Sequence, residues 1–286
     1  MDIAQLIVNG IAVGSILALA AVGLTLTYGI LRLSNFAHGD FLTLGAYFTW
    51  LCNINGVNIW IAMILGAIGT IAAMLIAEQL LWKPMRSARA DTTTLIIISI
   101  GLALFIRSGI LLIWGGSNKS YDLPVAEAID ILGIKIAYYR IIVIIMAILA
   151  IIALHFLLQN SKIGKAMRAV SDNIDLARVS GINVEQVVLW TWIITGTLTA
   201  LAGGMYGLMT QVRPNMGWFL ILPMFASVIL GGIGNPYGAI AGALVIGVTS
   251  ELSVLVLGSQ YKLGVALLIM VIILLIRPQG LFKGTI

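Results

Sequence analysis

Nine stretches of nearly unbroken apolar sequence divide this chain, at 3–31, 39–51, 59–82, 92–114, 141–158, 187–209, 218–234, 238–257 and 264–276. A helix needs roughly 20 mostly apolar residues to cross a bilayer, and most of these stretches meet or approach that length. A soluble interior cannot hide so many. The composition agrees: 60% of the 286 residues are hydrophobic and 9% charged, against about half and a quarter in a soluble domain. Much of the surface must therefore face lipid. Strands of an outer-membrane barrel would alternate apolar and polar over about ten residues, and that pattern does not dominate here.

The expected fold is an all-α polytopic membrane protein of eight or nine transmembrane helices, one transmembrane domain over 1–286. Segments 39–51 and 264–276 are short, which predicts broken or partly inserted helices. Irregular backbone at membrane depth is tolerated only where protein or a wet cavity covers it. The first five residues, Met1 to Gln5, carry an acid and no base, unlike a secretory signal. The single Cys52 rules out an internal disulfide or a thiolate metal cluster.

The net charge of +5 is explained by where the bases fall and implies no nucleic acid partner. Arg32, Lys83, Arg86, Arg89, Lys162, Lys165, Arg168, Arg178, Arg277 and Lys283 share one set of loops. Lys119, Lys135, Arg140, Arg213 and Lys262 share the other. The richer side is expected in the cytoplasm, giving an outer N-terminus and an inner C-terminus. Two long connections remain. One is external at about 115–139, placed to meet an external partner or to cap the bundle. The other is cytoplasmic at about 160–186.

In the inner loop, 161–170 is basic and amphipathic, and Ser171 or Asp172 is placed to cap a following helix with Asp175 in its first turn. Gly181 is a natural left-handed stop. The result is a helix–turn–helix knob suited to a groove on a cytosolic protein. A solvated connecting loop is the plainer reading, since inner loops are basic anyway.

Polar residues inside the spans need partners, because Arg or Asp at mid-helix costs about 2.5–3.5 kcal/mol. Helical rise puts Arg107 and Glu251 at similar depth, and they are expected to pair across the bundle. Arg107 could alternatively meet a substrate carboxylate. Asn35, His38, Gly39 and Asp40 interrupt two apolar stretches near the inner face. They read as a hinge in which Asn35 satisfies freed backbone, Gly39 permits a bend and Asp40 stabilises the next helix. A proton relay at His38 is the alternative. Glu78 is expected to meet Lys83 or Arg86, and His155 has no assigned role. Gly231, Gly232, Gly234, Gly238 and Gly242 allow close helix packing, with Asn235-Pro236 breaking the helix between two spans. No Lys-Ser/Thr follows these glycines, so they do not form a nucleotide-binding loop. A similarity between 14–20 and 196–202 fits an inverted repeat. Two histidines, one cysteine and no carboxylate cluster argue against an intramembrane enzyme or a metal site.

Four segments together resemble the smaller permease subunit of the branched-chain amino acid (Liv-type) ABC importers. They are Gly14 to Asp40 with its Asn35-Phe36-Ala37-His38-Gly39 run, the loop Gly164…Asp172…Ala177…Gly181-Ile182-Asn183, the run Gly231 to Gly242, and the tail Arg277-Pro278-Gln279-Gly280-Leu281-Phe282. Arg107 departs from the resemblance, since members can carry a neutral polar residue there. The resemblance implies an ABC importer permease fold in a bacterial inner membrane, and import of branched-chain, hydrophobic or neutral amino acids. It also implies a second, longer permease, two cytosolic ATPases and an external substrate-binding protein. This chain would bind no cofactor and catalyse nothing; ATP and Mg²⁺ belong to the ATPases. Gly164, Arg168, Ala169, Asp172, Ala177, Arg178 and Gly181 become the expected ATPase-coupling residues. Import of urea or short amides, and a self-contained ion-coupled transporter, are the competing readings.

Overall fold

A computed structural model describes residues 3–124, 128–131 and 134–282. Its helices are α1 (Ile3–Leu31), α2 (His38–Ile54), α3 (Ile59–Ala77), α4 (Lys83–Ser87), α5 (Thr92–Trp114), α6 (Tyr138–Asn160), α7 (Lys162–Asp172), α8 (Ile174–Val179), α9 (Val184–Met209), α10 (Met216–Gly231), α11 (Pro236–Leu252), α12 (Val254–Leu257) and α13 (Lys262–Ile276). A π-helical turn, Glu78–Trp82, joins α3 to α4. Seven helical stretches are long and apolar enough to cross a membrane. Among the described residues, the shorter apolar helix α10 adds one to these, giving eight of the expected eight or nine spans.

The bundle is built around α1 and α9. Each is buried over 72% of its most apolar window, against 6% for the last span. Small residues set how closely the helices approach. Gly10 and Gly14 of α1 lie against Gly247 of α11, where an added Cβ would come within 2.5 Å of the Gly14 Cα. Large apolar side chains on α5, α6 and α13, among them Phe105, Leu112, Phe156 and Leu275, stay exposed. In a bilayer that surface meets acyl chains.

The chain breaks deep inside the bundle. After α1 ends at Leu31, residues 32–37 run without regular structure, yet Leu33, Asn35 and Ala37 are buried. His38 then lies beside Ala20, its Nε2 2.9 Å from that carbonyl oxygen. Ala20 is eleven residues before Leu31, or about 16 Å in from the end of α1. The segment has therefore climbed back along α1, and α2 starts inside the membrane. Gly39 abuts Gly217, so α10 also starts at this depth, and the two helix N-termini meet there. A Cβ on Gly217 would fall 1.7 Å from the Gly39 carbonyl oxygen. This corrects two expectations. Residues 35–40 lie deep in the bundle and not near the membrane face where α1 ends, and Gly39 serves close helix contact rather than a bend, because it sits within α2.

Side chains satisfy the interrupted backbone, as burial requires. Asn35 Oδ1 accepts from the Ala37 amide at 3.1 Å, and Ser99 Oγ from the Phe36 amide at 3.1 Å. Thr43 Oγ1 accepts from the Gly217 amide at 3.0 Å, so α2 caps the first turn of α10.

Loop contacts sort the loops into two ends. Arg32 and Ser171 meet, as do Lys83 and Glu185, at the end where Gly29 approaches Ser171 and Gly234. The tail docks at this end too: the Leu281 and Phe282 amides donate to the Leu230 and Gly231 carbonyls at 2.8 and 3.1 Å. Lys283 lies outside the described residues. At the opposite end, strands β1 (Ala128–Ile131) and β2 (Ile134–Ala137) form an antiparallel hairpin, and Lys119 bridges Val212. Tyr121 inserts into the bundle there, its hydroxyl 3.3 Å from the Gly204 carbonyl oxygen and 3.4 Å from that of Ala46. Burial pushes this phenol's pKa well above its ordinary value. The described part of the 115–139 connection thus caps the bundle.

Candidate functional site

Three features at three depths bear on function. At the basic end, Ser161 opens α7 by accepting from the Gly164 amide at 2.9 Å, and Gly164 packs on the last carbonyls of α6. Met167 and Val170 are buried beneath it. Asn173, not Ser171 or Asp172, caps α8, accepting from the Asp175 and Leu176 amides at 3.0 and 2.9 Å. An amide one residue later in sequence competes equally well for that position. Gly181 follows α8 with φ of +84°, as the left-handed stop requires. Ser171 is instead a tether, its hydroxyl donating to the Gly29 carbonyl of α1 at 3.1 Å.

The seven expected coupling residues divide by burial. Gly164 and Ala177 are buried and hold the knob together; Ala169 is half-buried. Arg168 reaches back to the Leu158 carbonyl and the Gln159 side chain, closing the end of α6. Asp172, Arg178 and Gly181 are exposed, and Arg178 lies 3.8 Å from Asp175. Alongside them stand residues the sequence reading passed over. Ile174, Leu176 and Val179 are 40%, 61% and 81% exposed. Leu176 and Val179, three residues apart on one short helix at a polar end, form an aliphatic contact surface, with Ile174 on the other side of the helix. The i, i+3 spacing of Leu176 and Val179 was the available signal.

Inside the membrane, the meeting point of α2 and α10 is charged. Arg107 of α5 reaches Asp40 with two hydrogen bonds, Nε to Oδ1 and Nη2 to Oδ2, both 3.0 Å. Its guanidinium carbon lies 4.6 Å from the centre of the Trp218 ring of α10. One side chain thus holds three helices. Asp40 in the first turn of α2 offsets the positive ends of two helices, and Arg107 neutralises Asp40. The expected Arg107–Glu251 pair does not form. Glu251 binds Lys262 at the start of α13 instead. Equal depth did not imply proximity, because α5 and α11 lie on different sides of the bundle core. The Arg107–Asp40 pairing also argues against Arg107 as a substrate carboxylate ligand.

His38 is fully buried, with Thr199 Oγ1 3.3 Å from Nε2, in addition to Ala20. It ties α2 to α1 and α9, which fits the hinge reading better than a relay. Glu78 binds Arg86, as expected, and accepts from Trp192 Nε1 at 2.8 Å. His155 meets the Tyr237 hydroxyl at 2.9 Å. Gly231, Gly238 and Gly242 form the α10–α11 crossing, a Cβ on Gly231 falling 2.1 Å from the Gly238 carbonyl oxygen. Gly232 and Gly234 instead make the turn between these helices at φ of 105° and 88°, and Asn235 caps α11.

Beyond the charged junction, a cavity of about 360 Å³ opens at the end opposite the basic loops. Tyr206 and Thr210 at the end of α9, Arg213, and Met216 and Phe219 at the start of α10 line it. Asn118 Nδ2 donates to Gln211 Oε1 at 2.9 Å and braces one wall.

Residues 6–274 match the family described as branched-chain amino acid transport system / permease component. The chain is 30% identical to the high-affinity branched-chain amino acid transport permease BraD of Pseudomonas aeruginosa, covering 97% of this chain and 94% of that one. It is 31% identical to a probable branched-chain amino acid transport permease, LivH, of Methanocaldococcus jannaschii, covering 97% and 92%. Among solved structures, an inward-facing putative metal-chelate type ABC transporter superposes with a TM-score of 0.51 at 17% identity, covering 94% of this chain and 82% of that one.

Proposed function

The chain belongs to the branched-chain amino acid permease family, as the smaller, multi-pass membrane subunit of an ABC importer, and on that premise we propose that it carries branched-chain and other apolar or neutral amino acids into the cytosol. Its partners in this reading are a longer permease, two cytosolic ATPases and an external binding protein, with the N-terminus outside. ATP hydrolysis belongs to the ATPases, and this chain supplies the path and the lever.

The observation that carries the reading is the knob of α7 and α8. It presents Leu176 and Val179 outward while Ser171 fastens its inner side to Gly29 of α1. A partner gripping α8 pulls directly on the end of the central helix. That helix holds His38 through Ala20, and His38 begins α2. Motion at the knob therefore reaches the place where α2 and α10 meet. Any shift between inward- and outward-facing states needs a partner with different affinity for the two. ATP-driven closure of the ATPases supplies that difference in this scheme.

The test is a crosslinking series in the assembled importer. Cysteine at Arg178 or Val179 should join the ATPase subunit, in proportions that change with bound nucleotide. A Leu176→Ser, Val179→Ser variant should insert normally yet lose ATPase association and uptake. Uptake persisting in that variant, with no crosslink at either position, would remove the lever.

A further inference from the structure

The outer cavity contains an uncommitted cation. The described bases around it have partners. Lys119 lies 5.3 Å from the centre of the Trp50 ring, Arg140 donates to Asn9, and Lys262 pairs with Glu251. Deeper, Arg107 is held by Asp40. The Arg213 side chain, on the wall of the cavity, makes no hydrogen bond or ion pair among the described residues; only its backbone carbonyl is engaged, accepting from the Met216 amide at 3.2 Å. No carboxylate lines the cavity with it.

The remaining walls suit a small amphipathic ligand. Thr210 and Tyr206 offer hydroxyl groups on one side, and Met216 and Phe219 offer apolar surface on the other. A volume of about 360 Å³ lies at the lower end for small-molecule sites. A guanidinium with free N–H groups recognises a carboxylate through two parallel charge-assisted bonds. Met216 and Phe219 belong to the first turn of α10, the helix that meets α2 at the charged junction. A ligand held here rests directly on an element at the membrane break.

We infer that this cavity is a receiving site for the α-carboxylate of an apolar amino acid, with Arg213 as its ligand and Phe219 and Met216 against the side chain. The inference rests on the proposed substrate class. The site takes free substrate on its way inward, which separates it from a docking contact for the external binding protein.

The test uses the complete permease–ATPase complex in nanodiscs, without the binding protein, and radiolabelled leucine as probe. Leucine should bind the wild type and be displaced by unlabelled leucine. Leucinamide, which lacks the carboxylate, should compete at least about tenfold more weakly, a loss equivalent to about 1.4 kcal/mol. Arg213→Gln should weaken leucine binding by a similar factor and Arg213→Lys by less. Both should match the wild type in thermal stability and in affinity for the unloaded binding protein. Absence of leucine binding to the wild type, equal competition by leucinamide, or unchanged binding in Arg213→Gln would each overturn the site. A loss confined to binding-protein affinity would overturn it in favour of docking. Failure of the whole wild-type importer to take up leucine would instead refute the substrate class, and the site with it. An importer that carries leucine while Arg213→Gln binds it normally refutes the site alone.

Discussion

Replacing Arg107 by methionine leaves Asp40 as a carboxylate without a partner among buried helices. The Asp40 side chain is 1% exposed and that of Arg107 16%, so solvent screens the pair little. Breaking a buried pair by removing one member costs about 3–5 kcal/mol, mostly the penalty of the stranded charge. At 1.4 kcal/mol per factor of ten, that lowers the folded-to-unfolded ratio about 150- to 4,000-fold. Loss of the Trp218 contact adds about 0.5–2 kcal/mol. Arg107→Lys keeps the charge but not the twin hydrogen bonds, and should fall between wild type and Arg107→Met. The decisive comparison is the double variant Asp40→Asn, Arg107→Met. With no charge left to strand, it should recover most of the stability lost by the single change. Graded unfolding of the purified protein in mixed detergent measures all four. Glu251→Gln serves as a reference, because its partner Lys262 is 36% exposed and the expected loss is smaller. If Arg107→Met matches the wild type, or the double variant is no better than the single, Arg107 does not anchor Asp40 and the account of the membrane break fails.

Gly217→Ala should be poorly tolerated, since its Cβ would meet the Gly39 carbonyl backbone at 1.7 Å; overpacking costs about 1–3 kcal/mol or more, read as a lower detergent melting temperature. Asn173→Ala should lose about 0.5–2 kcal/mol locally, visible as faster amide exchange at Asp175 and Leu176 with the transmembrane amides unchanged. Glu78→Gln should loosen the C-terminal end of α3, because the acid holds both Arg86 and the Trp192 indole; a red-shifted Trp192 emission, compared with a Trp192→Phe control, checks it.

The spans were legible because apolar length is a direct requirement of the bilayer, and the helix break at Asn235-Pro236 and the stop at Gly181 because their chemistry is local. Sequence spacing also exposed the interruption at 35–40. Its depth was hidden, since that depends on His38 finding Ala20, eighteen residues away. The partner of Arg107 was hidden for a similar reason: depth along a helix is readable from helical rise, whereas direction around the bundle is set by packing. Thr43 and Ser99 looked like ordinary small polar residues in spans. Only the assembled structure shows them serving backbone amides of another segment. Residue pattern located the knob and resemblance gave it a coupling role, but its aliphatic face on α8 is a local pattern that the polar surroundings obscured.

The reversal after α1 has a consequence for how the chain is made. The Phe36 amide is served by Ser99, His38 by Thr199, and Gly39 lies against Gly217. A ribosome delivers those residues long after position 36 has left the exit tunnel. Until then the Phe36 amide lacks its buried acceptor, which favours holding the stretch between the first two helices at the lipid headgroups. It can settle at its final depth only once the second half of the protein has arrived, which makes the seating of residues 36–39, though not the insertion of α1, a late step of assembly.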